Sequence, residues 1–406
     1  MELVIAILSI FFAAFPLSCV ALLIWFADVY NRKPFWAAFI ALAWGALGAT
    51  LWSIIGSGIA ATILGLFAEP TTVEFISAVV FAPVVEEFFK GIILLGLILI
   101  PRGYESATNG LVYGSMIGLG FAITENFLYY LSSYFSAGVG AWITTIILRT
   151  LFTSFVHVMA TGSMGAALGY GASRGHNPWE MVIFGLGGYS IAVVIHGVWN
   201  LTATLSEFTS PAFFFLGILC FFIAFAVILS SAIMSIAYDR KVLKQELEEE
   251  TTFGVLSLGD SIVISDFTKR NSLQYLFPGK LKDDYKKTAI RLAVIKRQNK
   301  IYPKAKRDLE IQSLRAHLKE LQGHSTYYNA GPERPALQIN RHVGLRSSDL
   351  LRRNVEMPED SAINPPEPQG PHSVTILNPL EFRSRVRREN ALDRGESSKL
   401  QSETDE

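Results

Sequence analysis

Apolar residues fill the first 238 positions in runs far longer than a water-soluble fold needs, and polar residues return between them only briefly. Seven runs are long enough to cross ~30 Å of hydrocarbon at about 1.5 Å per helical residue. They lie near 3–27, 35–67, 73–100, 110–131, 141–171, 181–205 and 212–237. The pattern predicts an all-α fold, a polytopic membrane bundle of about seven transmembrane helices. The second run is over-long and contains Gly56, Ser57 and Gly58, where a strong tilt or a break is expected. The first run lacks a basic stretch ahead of it, and its apolar core is too long for a secretory leader, so it is read as a permanent span.

Charge divides the chain. Residues 1–238 hold 6 Lys/Arg and 10 Asp/Glu, whereas the last 168 positions hold 29 and 25. The first part is expected to be a membrane domain and the second to face water. Over 239–323, stretches such as KKTAIRLAVIKRQNK and KRDLEIQSLRAHLKELQG favour helix, with Leu314, Leu318 and Leu321 forming a short apolar stripe. These predict a small, mainly helical module. The intervening TTFGVLSLGDSIVISDF is mixed and reads as a small β-rich element or a linker. Residues 324–406 fill with Pro, Ser, Asn and Arg and are expected to be a disordered tail. His317, His324, His342 and His372 have no ligand spacing and are expected at the surface. Cys19 and Cys220 sit in apolar segments and suggest neither a disulfide framework nor a Cys-based metal site. The partners expected are the bilayer and a membrane protein, with no nucleic acid.

Orientation follows from the short loops. Arg32, Lys33, Arg102 and Arg174 lie in one set of loops, and Arg240, Lys241 and Lys244 follow the last span. The alternate loops, near 68–72, 132–140 and 206–211, carry no Lys or Arg. The bias places the N-terminus outside and the C-terminus in the cytoplasm of a cell (plasma) membrane protein.

Against this background, several polar residues fall where a span should have none. FAPVVEEFFKGIIL places Glu86, Glu87 and Lys90 midway in the third span, and GLGFAITENFLYY places Glu125 and Asn126 in the fourth. Arg149 and His157 fall in the fifth, His196 and Asn200 in the sixth. A charge at the bilayer centre costs roughly 2.5–3.5 kcal/mol on insertion scales, so this many scattered toward lipid would be prohibitive. They are expected to converge on one polar cavity open toward the outer side. Spacing agrees: Glu86 and Lys90, Phe121 and Glu125, and His196 and Asn200 are each one helical turn apart. Thr153, His157 and Thr161 form a further polar stripe. Glu87 is rotated about 100° from Glu86, so one can face the cavity while the other braces a neighbouring helix.

Two imidazoles and a carboxylate suit Zn²⁺ or another divalent metal, which points to His157, His196 and Glu86 as ligands. A second carboxylate could take a proton from water and pass it to a leaving amine, and Asn200 could donate to an oxyanion. Lys90 and Arg149 would offset the carboxylates. Glu125 and Asn126 could equally brace helices, and Arg149 lies about eight residues into its span, near enough to an end to snorkel. Intramembrane Glu and His also carry protons, so a proton- or cation-coupled transporter is the rival reading on these residues alone. No internal repeat of the kind common in transporters is visible.

EEFFK at Glu86–Lys90, FAITEN at Phe121–Asn126, the His157 helix and HGVWN at His196–Asn200 together resemble the PrsW family of intramembrane proteases. That family's pattern is EExxK, then FxxxEN, then two later histidine helices, and order and spacing agree over roughly 75–205. The resemblance implies a membrane-embedded metalloprotease related to the CAAX prenyl protease and bacteriocin-immunity group. It implies catalytic roles for Glu86, Glu87, His157 and His196, with Lys90, Phe121, Glu125, Asn126 and Asn200 in support. It suggests a membrane-associated regulator, such as an anti-sigma factor, as substrate. The CAAX-type relatives carry EExxxR and FxxxH where this chain has Lys90 and Glu125, which favours the PrsW branch. An inactive relative acting as a membrane binding partner is the remaining alternative.

Overall fold

The computed structural model describes residues 1–30, 32–99, 106–175, 177–266, 268 and 279–323, and every regular element among them is helical. In chain order, α1 is Glu2–Ala27, α2 is Phe35–Leu64 and α3 covers 70–99. Next, 107–173 forms a hairpin, α4 over 107–137 and α5 over 139–173. It reverses at Gly138, whose φ of 79° glycine adopts without strain. Then come α6 (Pro178–Phe208), α7 (Ala212–Thr252), α8 (Leu258–Ser265), α9 (Gly279–Ile301) and α10 (Ala305–Gly323). Each of the seven apolar runs thus has a helical counterpart. The protein is a helical membrane bundle, with Leu47, Leu186 and Phe215 typical of the large apolar side chains on its outer face.

The α4–α5 hairpin is the spine of the bundle. Gly110 backs onto Gly165, Gly114 onto Thr161, and Gly118 onto the carbonyl of His157. One small residue per turn lets the two backbones touch, as membrane helices without a hydrophobic driving force require. A Cβ at Gly118 would run into the His157 carbonyl, so this contact fixes the height of His157.

Three stretches widen into π-helix: Trp44–Ala49, Ser77–Phe81 and Arg149–Thr153. A carbonyl in each accepts a side-chain bond. Thr50 Oγ1 donates to Gly45 O at 3.0 Å, Asn200 Nδ2 to Ala78 O at 2.9 Å, and Ser154 Oγ to Arg149 O at 2.8 Å. Such bulges gather at functional sites, and two of these lie just ahead of Glu86 and His157. The break expected at Gly56–Gly58 is absent. The irregularity sits instead at Trp44–Ala49, where Gly45 packs directly on the Ile117 carbonyl, while α2 stays helical through Gly58.

The helix of the seventh apolar run does not stop where that run ends near residue 237. α7 continues to Thr252, because AYDRKVLKQELEEETT is rich in strong helix formers. Its polar end packs with α8, α9 and α10 around Leu247, Ile264, Tyr285, Leu292 and Leu318. Lys296 Nζ, nearly buried there, lies 2.6 Å from Glu250 and 3.3 Å from Glu249, and Arg315 grips Glu250 through two bonds of 2.8 Å. The mixed segment after α7 holds no strand among its described residues. Ser257 caps α8 by accepting from the Asp260 N–H at 3.0 Å, and a helix results where a β-rich element was one expectation. His317 lies at the surface as expected, with 42% of its side chain exposed, whereas His324, His342, His372, Arg102 and the tail 324–406 lie outside the described residues.

Candidate active site

Glu86, Glu87 and Lys90 share two turns of α3. Lys90 is fully buried, and its Nζ donates to Glu87 Oε1 at 2.8 Å and to Glu86 Oε2 at 3.4 Å. The two glutamates differ sharply. Glu87 is fully buried and its oxygens accept from Lys90, from Thr161 Oγ1 at 2.8 Å and from His196 Nδ1 at 3.1 Å. Glu86 keeps 12% of its side chain exposed, and its Oε1 accepts no bond from the described residues. Adjacent positions on one helix therefore give one saturated carboxylate and one open carboxylate.

The histidine tautomers follow from these partners. Glu87 can only accept, so His196 carries its proton on Nδ1 and its Nε2 is a lone pair, 3.8 Å from Glu86 Oε2. A carboxylate that fixes an imidazole in this way is the usual support for a metal-binding histidine. His157 is held from both sides: its Nδ1 is 3.0 Å from Lys90 Nζ and its Nε2 is 2.7 Å from Glu125 Oε2. The two rings meet edge to face with centroids 4.8 Å apart.

Glu125 is pinned in turn. Arg149 Nη2 lies 2.7 Å from Glu125 Oε2 as a close ion contact, off the hydrogen-bonding line. Arg149 Nε donates to Asn126 Oδ1 at 3.0 Å, and Asn126 Nδ2 donates to Ser154 Oγ at 2.8 Å. The guanidinium also stacks on Tyr129 at 3.7 Å. Arg149 thus points inward and does not snorkel. The Phe121 ring lies 3.8 Å from Lys90 Nζ and 5.2 Å from the His157 ring, a cation–π lid over the buried ammonium. A continuous polar chain, Arg149–Glu125–His157–Lys90–Glu87–His196, therefore links α3, α4, α5 and α6.

Glu86, His157 and His196 each offer one ligand atom, all within 4.8 Å of one another. Two nitrogens and a carboxylate oxygen fit a divalent ion of the zinc type. The family model described as PrsW family intramembrane metalloprotease matches residues 33–228.

The bundle is similar to the PrsW family over residues 33–228.

Protease PrsW of Oceanobacillus iheyensis is 27% identical to this chain over 128 residues, which cover 31% of this chain and 54% of that protein. The chain thus spans about half the length of this curated relative. No solved structure matches it.

The PrsW-type residues read from the sequence separate into two groups in space. Glu86, Glu87, Lys90, Phe121, Glu125, His157 and His196 meet at one place. Asn126 stands behind them and reaches the site only through Arg149. Asn200 Nδ2 donates to the Ala78 carbonyl in the α3 bulge, about two turns before Glu86. Two participants went unread. Ser154 sits beside Asn126, and Tyr129 stacks on Arg149. Tyr129 lies one turn after Glu125, a spacing that could have flagged it.

Proposed function

We propose that this protein is an intramembrane endopeptidase that hydrolyses a peptide bond of a membrane-associated protein, with Glu86 as the working carboxylate. The observation that carries the reading is the open Oε1 of Glu86 beside the saturated Glu87. Glu86, His157 and His196 would hold a divalent metal such as Zn²⁺, which when bound supplies Lewis-acid polarisation and acidifies water in the cavity. Glu86 Oε1 takes a proton from water as the water oxygen attacks the scissile carbonyl carbon. The same oxygen returns that proton to the amide nitrogen as the C–N bond breaks. Glu87 orients His196, and Glu125 orients His157. Lys90 and Arg149 balance the carboxylates, so that three glutamates can share one cavity.

Loop charges support a cytoplasmic C-terminus in the plasma membrane, which would put α8–α10 in the cytosol. The family suggests a membrane-bound regulator as substrate. The test is hydrolysis itself. The purified chain in liposomes should cut membrane-anchored reporter segments, and in H₂¹⁸O each new C-terminus should carry the label. Glu86→Gln should abolish both products and label. Products without ¹⁸O, or undiminished cleavage by Glu86→Gln, would contradict the proposal.

A further inference from the structure

His196 and His157 are unequally prepared to hold a metal. His196 offers an open lone pair at Nε2, because Glu87 takes its Nδ1 proton. His157 offers none. An ammonium has protons and no lone pair, so Lys90 Nζ donates to His157 Nδ1, and the ring proton then lies on Nε2, directed at Glu125.

The setting of Lys90 explains why. Its ammonium lies 2.8 Å from Glu87, 3.4 Å from Glu86, 3.0 Å from the His157 nitrogen and 3.8 Å from the Phe121 ring, with no exposed side-chain surface. Two carboxylates and an imidazole are what a metal cation would seek here. We propose that Lys90 competes with a divalent ion for His157 Nδ1, its ammonium leaving that nitrogen when such an ion binds there with Glu86 and His196. This rests on the metal reading given above.

Lys90, not Glu125, is the partner that yields. Glu125 is clamped by Arg149 at 2.7 Å, and its charge attracts a metal-bound imidazole. The lysine carries a like charge on a flexible four-carbon stem, so a dication arriving at Glu86 repels it. Glu87 stays within reach and retains the ammonium, which keeps the pair intact while His157 is freed. Lys90 is then a positioning residue that sets metal affinity and balances the charge of Glu86 and Glu87.

The experiment uses the full chain in detergent, stripped of metal and labelled with ¹⁵N-histidine, with Zn²⁺ alone as the probe. His157 is assigned by His157→Gln. Zn²⁺ should convert His157 Nδ1 from a hydrogen-bond acceptor to a ligated nitrogen while Nε2 keeps its proton. Lys90→Met should bind Zn²⁺ about tenfold or more tightly than the unaltered protein, because the competing cation is gone. Its metal-free form should unfold at a lower temperature and recover on Zn²⁺ addition. Ligation through Nε2, or equal or weaker Zn²⁺ binding by Lys90→Met, would overturn the proposal alone. If Zn²⁺ binds neither protein, the metal reading falls and this inference with it. Should Lys90→Met fail to fold, the histidine signals of the unaltered protein decide by themselves.

Discussion

Glu87 and His196 are 109 residues apart in sequence, yet Glu87 Oε1 accepts the His196 Nδ1 proton at 3.1 Å. Glu86 has no such fixed partner at Oε1, and the contrast separates two roles that sequence adjacency hides. Glu86→Gln should abolish cleavage and cost less thermal stability than Glu87→Gln, since no bond to Oε1 is lost and Gln can still accept from Lys90. Glu87→Gln should lower both, because an amide cannot accept from Lys90, Thr161 and His196 together. Melting of each purified variant in detergent, run beside the cleavage assay, checks the difference. Equal melting points for the two variants would contradict it.

Gly118 has no side chain, yet it sets the height of His157. Gly118→Ala would drive a methyl into the His157 carbonyl, so the hairpin must open. The expected loss is about 1–3 kcal/mol of stability, as for other overpacked sites. Cleavage should fall with it as His157 shifts from Lys90 and Glu125. Gly140→Ala is the control, since nothing lies within 4 Å of a Cβ there.

Arg149 acts at one remove. Removing its guanidinium in Arg149→Leu frees Glu125 from its clamp and leaves Asn126 Oδ1 without its donor. Cleavage should fall by about tenfold to a hundredfold, the usual effect of losing support behind a metal-site residue. Arg149→Lys should recover part of it, because a point charge restores the ion contact without the fork. A Lys variant no better than Leu would show that charge is not what Arg149 supplies.

Beyond the bundle, Lys296 is nearly buried among Glu246, Glu249 and Glu250. Lys296→Met should destabilise the α7–α10 packing, because it removes one buried partner of Glu246 and Glu250 and leaves them Lys300 and Arg315. Hydrogen exchange over 243–252 and 279–323 should quicken while the α4–α5 hairpin stays protected.

Much of this was legible in the sequence, for definable reasons. Apolar run length reports membrane helices because lipid leaves the backbone no other partner, and the insertion cost of Glu86, Glu87, Lys90, His157 and His196 forces them together. The EExxK and FxxxEN spacings place side chains on one face, which is why the seven site residues meet. Other features depend on long-range packing that no local pattern encodes. The π-bulge at Ser77–Phe81 accepts from Asn200 through a contact spanning 122 residues, which no local pattern announces. Likewise, Gly45 packs on Ile117 and moves the irregularity of α2 away from Gly56–Gly58. The helix at Leu258–Ser265 hinged on reading Ser257 as a cap before a β-branched stretch.

Removal and return of metal should be reversible. Stripping the purified protein with a chelator should abolish cleavage, and stoichiometric Zn²⁺ or another divalent ion should restore it. Bound metal should fall in His196→Ala, whose Nε2 is the one imidazole lone pair already open. Full activity in protein shown to be metal-free would remove the metal from the mechanism and leave Glu86 to act on water alone.

The most direct test of the central claim is a mutant cycle on Glu86 and His196, read as cleavage of membrane-anchored reporter segments in proteoliposomes. Glu86→Gln and His196→Ala remove groups that act as one unit, 3.8 Å apart, so each alone should reduce cleavage to background. The double variant should then be no worse than either single one, the non-additivity expected of cooperating catalytic groups. All three proteins should elute as folded species and reconstitute with the yield of the unaltered chain. Retained cleavage in both single variants would contradict the assignment of this cavity as the active site.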